Sequence, residues 1–206
     1  MIIAVDGPTA SGKGTIAKAL AAHFGLPHLD TGLLYRAVGR QVQLDGGDPD
    51  DPHAALAACD FADSLLADEI LRSEEVGGFA SRVSVHPAVR RALYERQRSF
   101  ALQEGGAVLD GRDIGTVIAP EAEVKLFVTA SAAERARRRW LEMTARGIDV
   151  ALEVIERDIA ARDERDMGRK DAPLIAAPDA LVLDNTHMGR DAAIEAAIVA
   201  VTARRA

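Results

Sequence analysis

The chain opens on an unbroken apolar run, residues 1–5, that stops at Asp6-Gly7. A short continuous run of this kind, closed by a turn signal, reads as a parallel strand buried on both faces. A glycine-rich turn follows, and a helical pattern runs from about 14 to 24. Residues 27–29 form a second short strand candidate. Residues 31–44 are helical in period, with Leu33, Leu34, Ala37 and Val38 on one side. The stretch GGDPDDP (46–52) reads as a loop. From 53 to about 103 the pattern is mainly helical, with breaks expected around Gly77-Gly78 and at His86-Pro87, where proline suits a helix start. Residues 107–109 and 124–128 are apolar strand candidates. Residues 131–146 predict a helix with a capping box, Ser131 at its N-cap and Glu134 three residues on. Further helices are expected over 149 to about 166 and 190–203, with a last strand over 180–183.

Strands alternating with helices imply an α/β fold. Its three layers would be a parallel sheet of about five strands with helices on both faces. The mid-chain helical block interrupts the alternation, so it reads as an insert over the C-terminal edge of the sheet. No internal repeat or low-complexity segment stands out.

Composition adjusts this picture little. A chain of 206 residues suits one domain with small inserts. It is 48% hydrophobic and 28% charged, as expected of a chain with a real core. The net charge of −7 argues against a nucleic-acid binder, and 4% aromatic residues offer few platforms for bases. Of the 25 basic residues only Lys13, Lys18, Lys125 and Lys170 are lysine. Codon bias explains most such surpluses; where position selects them, arginines suit bidentate phosphate binding. Cys59 has no intrachain partner and reads as a small hydrophobe in a reducing compartment. No signal peptide and no apolar run of membrane-spanning length is present, so a cytoplasmic location and no membrane partner are expected.

Between the first strand and the first helix lies Gly7-Pro8-Thr9-Ala10-Ser11-Gly12-Lys13-Gly14-Thr15. This is the strand–turn–helix context that a phosphate-binding P-loop requires. Glycines let backbone N–H groups turn inward, the helix directs its positive end at the phosphates, and Lys13 adds a mobile charge. The general motif places Ser or Thr directly after the lysine. Here Gly14 intervenes and Thr15 comes second, so Thr15 would hold Mg²⁺ either directly or through water. A tight turn without a ligand is the plainer alternative.

Three further motifs fall at strand ends or on late helices. Leu29-Asp30-Thr31-Gly32-x-x-Tyr35-Arg36 follows the second strand candidate; taken alone it is also a capped helix with a surface arginine. Val108-Leu109-Asp110-Gly111-Arg112-Asp113-Ile114-Gly115-Thr116 ends the next strand. Ligands of open α/β sheets bind at such carboxyl ends, and Asp110 there could hold a Mg²⁺-bound water. Arg162, Asp166 and Arg169 follow i, i+4, i+7 spacing and share a face if the helix continues. A nearby helix carries Arg135, Arg138 and Arg139. A lone charge run of this type is usually a solvated face; together the arginines fit a lid closing over phosphates.

The strings GPTASGKGT, LDTGLLYR, SVHPAVRRALYERQR, DGRDIGTV, RDERD with Arg169 and Ala172-Pro173-Leu174, and ALVLDNT together resemble the bacterial-type cytidylate kinases over nearly the whole chain. The resemblance implies the P-loop nucleoside monophosphate kinase fold, with an acceptor-binding insert at about 32–104 and a lid at about 135–150. It implies transfer of the γ-phosphoryl of ATP to CMP or dCMP, with Mg²⁺. Residues 7–15 would bind ATP. Arg36, Arg112 and Arg169 would hold the CMP phosphate, and Arg162 and Asp166 the sugar. Ser81, Arg90 and Asp113 would read the base, with Thr31 and Tyr35 lining the acceptor. Lys13, Arg135, Arg138 and Arg139 would neutralise developing charge. Cytosine offers an amino donor and two acceptors, so a carboxylate with an arginine selects it over uracil. The segment between Cys59 and Ser73 is short for the family, and Asn185 stands where the family usually has Ser or Thr. Small nucleotides are the expected partners and a monomer the expected state. The rivals are another small-molecule P-loop kinase, such as an adenylate, shikimate or dephospho-coenzyme A kinase, and a nucleotide-binding module without catalysis.

Overall fold

A computed structural model describes residues 1–205. The chain divides into two compact units, one of Met1–His28 with the chain from Ala101 onward, the other Leu29–Phe100.

The first unit is built on a parallel sheet of β1 (Ile2–Asp6), β2 (His28–Asp30), β3 (Ala107–Gly111), β4 (Val124–Thr129) and β5 (Leu181–Asp184), in the order β2-β3-β1-β4-β5 among the described residues. β2 is the edge strand at which the chain passes from one unit to the other. The central strand is β1, and all five of its residues are buried, as its unbroken apolar run requires. It pairs in parallel with β3, from Ile2↔Ala107 to Asp6↔Gly111, and with β4, from Ile3↔Val124 to Asp6↔Phe127. Strand side chains alternate between faces. Ile3 and Val5 therefore share one face with Val124, Leu126 and Val128. Onto that face pack Ile16, Ala17 and Leu20 of α1 (Lys13–Phe24) and Ala193, Ala197 and Val201 of α8 (Arg190–Arg205).

α6 (Ala132–Ala145) and α7 (Leu152–Met167) pair through Ala136, Met143, Ile155 and Ile159. The expected capping box is partly present: Ser131 Oγ accepts from Glu134 N at 3.2 Å. α7 begins at Leu152 rather than at 149. Residues 147 and 148 instead close α6, Gly147 in the left-handed region at φ 74° and Ile148 N on Met143 O at 3.0 Å. Val150 O accepts from Trp140 Nε1. α7 stops at Met167 with Gly168 at its C-cap, so Arg169 lies beyond the helix and the i, i+4, i+7 face is not continuous.

The second unit is helical: α2 (Thr31–Leu44), α3 (Pro52–Ala57), two short 3₁₀ turns (Asp63–Ala67 and Glu69–Arg72), α4 (Glu74–Val83) and most of α5 (Pro87–Ala101). Its core joins Leu34, Val38 and Val42 to Leu71, Val76, Val83, Val89 and Leu93. Cys59 is half-buried rather than fully interior, and burial pushes its thiol up to about 11. The break expected at Gly77-Gly78 is absent, because both glycines lie inside α4. Ser73 caps that helix through Val76 N, Glu74 and Glu75 suit its first turn, and Val76, Ala80 and Val83 supply a buried stripe. Packing of that stripe outweighs the glycine propensity penalty of about 1 kcal/mol per residue.

Gly39 and Gly78 make opposite predictions. A Cβ on Gly39 would meet Ala80 N at 2.8 Å and Phe79 Cβ at 2.9 Å, whereas nothing lies within 4 Å of one on Gly78. Gly39→Ala is expected to destabilise by about 1–3 kcal/mol, and Gly78→Ala to stabilise by about 0.5–1 kcal/mol. Urea unfolding of the two variants checks both signs.

Candidate active site

The phosphate loop starts where β1 ends. Gly7 has φ 156°, and a Cβ there would lie 2.1 Å from Val128 O of β4, so only glycine fits. Ala10 and Gly12 take positive φ, 57° and 86°. Gly12 then caps α1, whose first turn carries no acidic residue to offset its positive end. Lys13 Nζ reaches back across the loop to Pro8 O at 3.3 Å. At Gly14 a Cβ would sit 3.5 Å from Asp110 Oδ2, an ordinary contact distance. Asp110, at the end of β3, therefore stands against the first turn of α1. Its other oxygen is 2.7 Å from His28 Nε2. Thr15 is exposed one residue on.

The loop's carbonyls are held from outside. Asn185, past β5 and buried, donates Nδ2 to Ser11 O at 2.9 Å. Arg135 Nη1 donates to Thr9 O at 3.2 Å. In a trans peptide the N–H points opposite to the C=O, and the chain has no cis bonds. The amides of Ala10 and Gly12 thus turn away from these struts, the orientation that an anion cradle needs.

The three arginines of α6 occupy different surroundings. Arg135 is buried and spans Ala130 O (2.9 Å), Thr9 O and the Asp163 carboxylate of α7 (3.1 and 2.6 Å). Arg138 bonds Glu134, Asn185 Oδ1 (2.8 Å) and Asn185 O (2.7 Å). Arg139 pairs with Glu142 at 2.7 Å. Glu134 is lowered to about 2 by its bonds from Arg137 and then Arg138.

At the end of β3, Arg112 Nε donates to Asp166 Oδ2 at 2.7 Å, and Arg169 donates to Oδ1 of the same carboxylate. Asp166 is buried. Burial alone would raise its pKa, but Arg112, Arg169 and the Lys13 charge together hold it below the usual carboxylate range. Arg162, one turn earlier in α7, pairs with Asp158 at 2.9 Å. Asp113 is buried at the start of a π-helical turn, Ile114–Ile118. That turn hangs on Asp6, whose Oδ1 accepts from Ile114 N and Oδ2 from Gly115 N, both at 2.8 Å. Burial pushes Asp6 up to about 7, against the bonds from Gly115 and Ile114; the Asp113 charge adds to the rise.

The first unit thus brings together the loop, Asp110, Arg112, Asp113, Arg135, Arg138, Asp166 and Arg169. Arg162 lies in the same unit, paired with Asp158, and the other acceptor candidates lie in the second unit. There Arg36 Nη1 donates to Leu71 O (2.6 Å) and Ser73 O (2.9 Å). Arg90 stacks over Tyr35, its guanidinium carbon 5.8 Å from the ring centroid. Thr31 is buried at the start of α2, and Ser81 is half-buried in α4. Asp6, His28 and Asp163 were not singled out from the sequence; each acts through a partner far along the chain.

The cytidylate kinase family model matches residues 3–203. The chain belongs to the cytidylate kinase family. It is 59% identical to the cytidylate kinase of Cereibacter sphaeroides (strain KD131) over 204 residues, covering 99% of this chain and 96% of that one. It is 54% identical to the cytidylate kinase of Xanthobacter autotrophicus, covering 100% and 99%. Among solved structures, an uncharacterized protein from Eubacterium ventriosum shares the fold, with a TM-score of 0.56 at 16% identity over 98% of each chain. In this member of the cytidylate kinase family the loop, α6 and α7 are tied to one another through Arg135 and Asp163.

Asp166→Asn is expected to cost about 3 kcal/mol at neutral pH, because two guanidinium groups lose their shared carboxylate. A carboxylate held below its ordinary pKa stabilises the fold above about pH 4 and loses that contribution as pH falls further. The stability gap between wild type and variant should therefore close in acid, as thermal unfolding across a pH series would show.

Proposed function

We infer that this protein transfers the γ-phosphoryl group of ATP to CMP or dCMP, giving ADP and CDP or dCDP. Family membership over residues 3–203 carries the reading, and the loop geometry supports it. ATP lies on residues 7–15, with Lys13 against the β- and γ-phosphates. In the first unit Arg112 and Arg169 take the acceptor phosphate, Arg162 and Asp166 the sugar, and Asp113 the cytosine amino group. In the second unit Arg36 serves phosphate, Ser81 and Arg90 the base, and Thr31 and Tyr35 line the acceptor.

Mg²⁺ fits the donor set beside the loop. Among the described residues no cluster of three acidic, His or Cys side chains could cage a metal. Of the loop's hydroxyls, that of Thr15 lies in the first turn of α1, and Asp110 Oδ2 stands against Gly14 of the same turn. A hard cation that keeps waters and draws most ligands from phosphates suits so sparse a set. When bound, the ion neutralises phosphate oxygens.

Transfer needs positioning and charge neutralisation rather than a covalent intermediate. The buried Arg135 bonds the loop's outer face, and Arg138 supports it through Asn185; Arg139, which pairs with the exposed Glu142, neutralises charge on the phosphates. Asp166 keeps two guanidinium groups aligned before the acceptor arrives, which lowers the entropy lost on binding. Among the described residues no helix is long and apolar enough to cross a membrane. We take the enzyme to act on free nucleotides in the cytoplasm, as a monomer.

A coupled ADP-release assay over CMP, dCMP, UMP, AMP and dTMP should give fastest turnover on CMP or dCMP; faster turnover on another acceptor refutes the assignment. Lys13→Ala should lower kcat at least about a hundredfold while circular dichroism is unchanged. Asp113→Asn should narrow the preference for CMP over UMP by about tenfold or more.

A further inference from the structure

The two residues assigned to the acceptor at the end of β3, Arg112 and Asp113, are fixed on both sides by one side chain's neighbourhood. On the near side, Gly111 is the sheet partner of Asp6. On the far side, both carboxylate oxygens of Asp6 hold Ile114 N and Gly115 N at 2.8 Å. Only Arg112 and Asp113 lie between these anchors. The Ile114 N–H belongs to the peptide plane that follows Asp113. Holding it fixes ψ of Asp113, which stands at 26° with φ −143°, away from regular helix and strand. The turn has little slack, since a Cβ on Gly115 would meet Lys125 Cδ at 3.1 Å. Asp6 itself is buried, and both of its oxygens bond the turn.

We propose that Asp6 is a positioning residue for the acceptor: its carboxylate bridges β1 to the Ile114–Ile118 turn and so sets Arg112 and Asp113 for phosphate and base. The proposal rests on the cytidylate kinase reading and on the role given there to Asp113. It predicts an effect on acceptor selection that a general loss of stability would not produce.

Asp6→Asn replaces one acceptor with an amide donor facing an N–H. The KM for CMP is expected to rise about tenfold and the preference for CMP over UMP to fall about tenfold, with the KM for ATP changed less than about twofold. In parallel, amide exchange at Ile114 and Gly115 should be slow in the wild type and accelerated in the variant. An unchanged CMP KM and selectivity would overturn the proposal. So would equal rises in the CMP and ATP constants, which would make Asp6 a support for the phosphate loop instead. If the variant does not fold, wild-type exchange decides alone: Ile114 and Gly115 amides that exchange as fast as the exposed loop at Gly46 leave no bridge to propose. A wild type inactive on every monophosphate would remove the kinase reading, and the exchange data would still accept or reject the bridge.

Discussion

The structure depends on a close backbone approach at the end of β1. Val128 O stands where a Cβ on residue 7 would be, so the chain can leave the central strand only through glycine. That contact lets the loop turn back over the sheet edge and start α1 at Lys13. The loop is then secured by its carbonyls, with Thr9 O on Arg135 and Ser11 O on Asn185. Peptide planarity converts those outer bonds into an inner row of N–H groups. A phosphate cradle is thus obtained by fixing the side that the phosphate does not touch.

The same struts connect the loop to the late helices. Arg135 bonds the loop on one side and Asp163 of α7 on the other. Arg138 joins Glu134 of its own helix to Asn185, which in turn holds Ser11. Buried charges are tolerated here because each guanidinium meets a carboxylate or several carbonyls. The arrangement makes the position of α6 and α7 energetically dependent on the loop, and the loop on them. Their apolar seam is small, Ala136 and Met143 against Ile155 and Ile159, so much of what fixes the pair is polar and directional.

Much of this was legible from the sequence. Apolar runs located the strands and the 3.6-residue period the helices, because burial on two faces or one stripe leaves a direct record in residue order. The loop motif announced its own chemistry, since glycine spacing, lysine and helix start all lie within nine residues. The errors were local and share a cause. Gly77-Gly78 predicts a break by propensity, yet capping by Ser73 and the stripe through Val76, Ala80 and Val83 keep α4 whole. Residues 149–151 predict the start of a helix by pattern, yet α7 begins only at Leu152 and Val150 O accepts from Trp140 Nε1 of α6. In each case a contact formed elsewhere outweighed a preference of at most about 1 kcal/mol.

Sequence alone determined the strand–turn–helix cradle, the parallel α/β class and the family, because each is written in consecutive residues or in strings that resemble the family's. Only the tertiary structure decided what Asp6, Asp163, Asp166 and Asn185 do. Their partners, at Ile114 and Gly115, Arg135, Arg112 and Ser11, lie up to 174 positions away or on another element. A carboxylate or amide in a sequence carries no direction. It acquires one when the sheet brings strand ends into register and burial obliges every polar atom to find a partner.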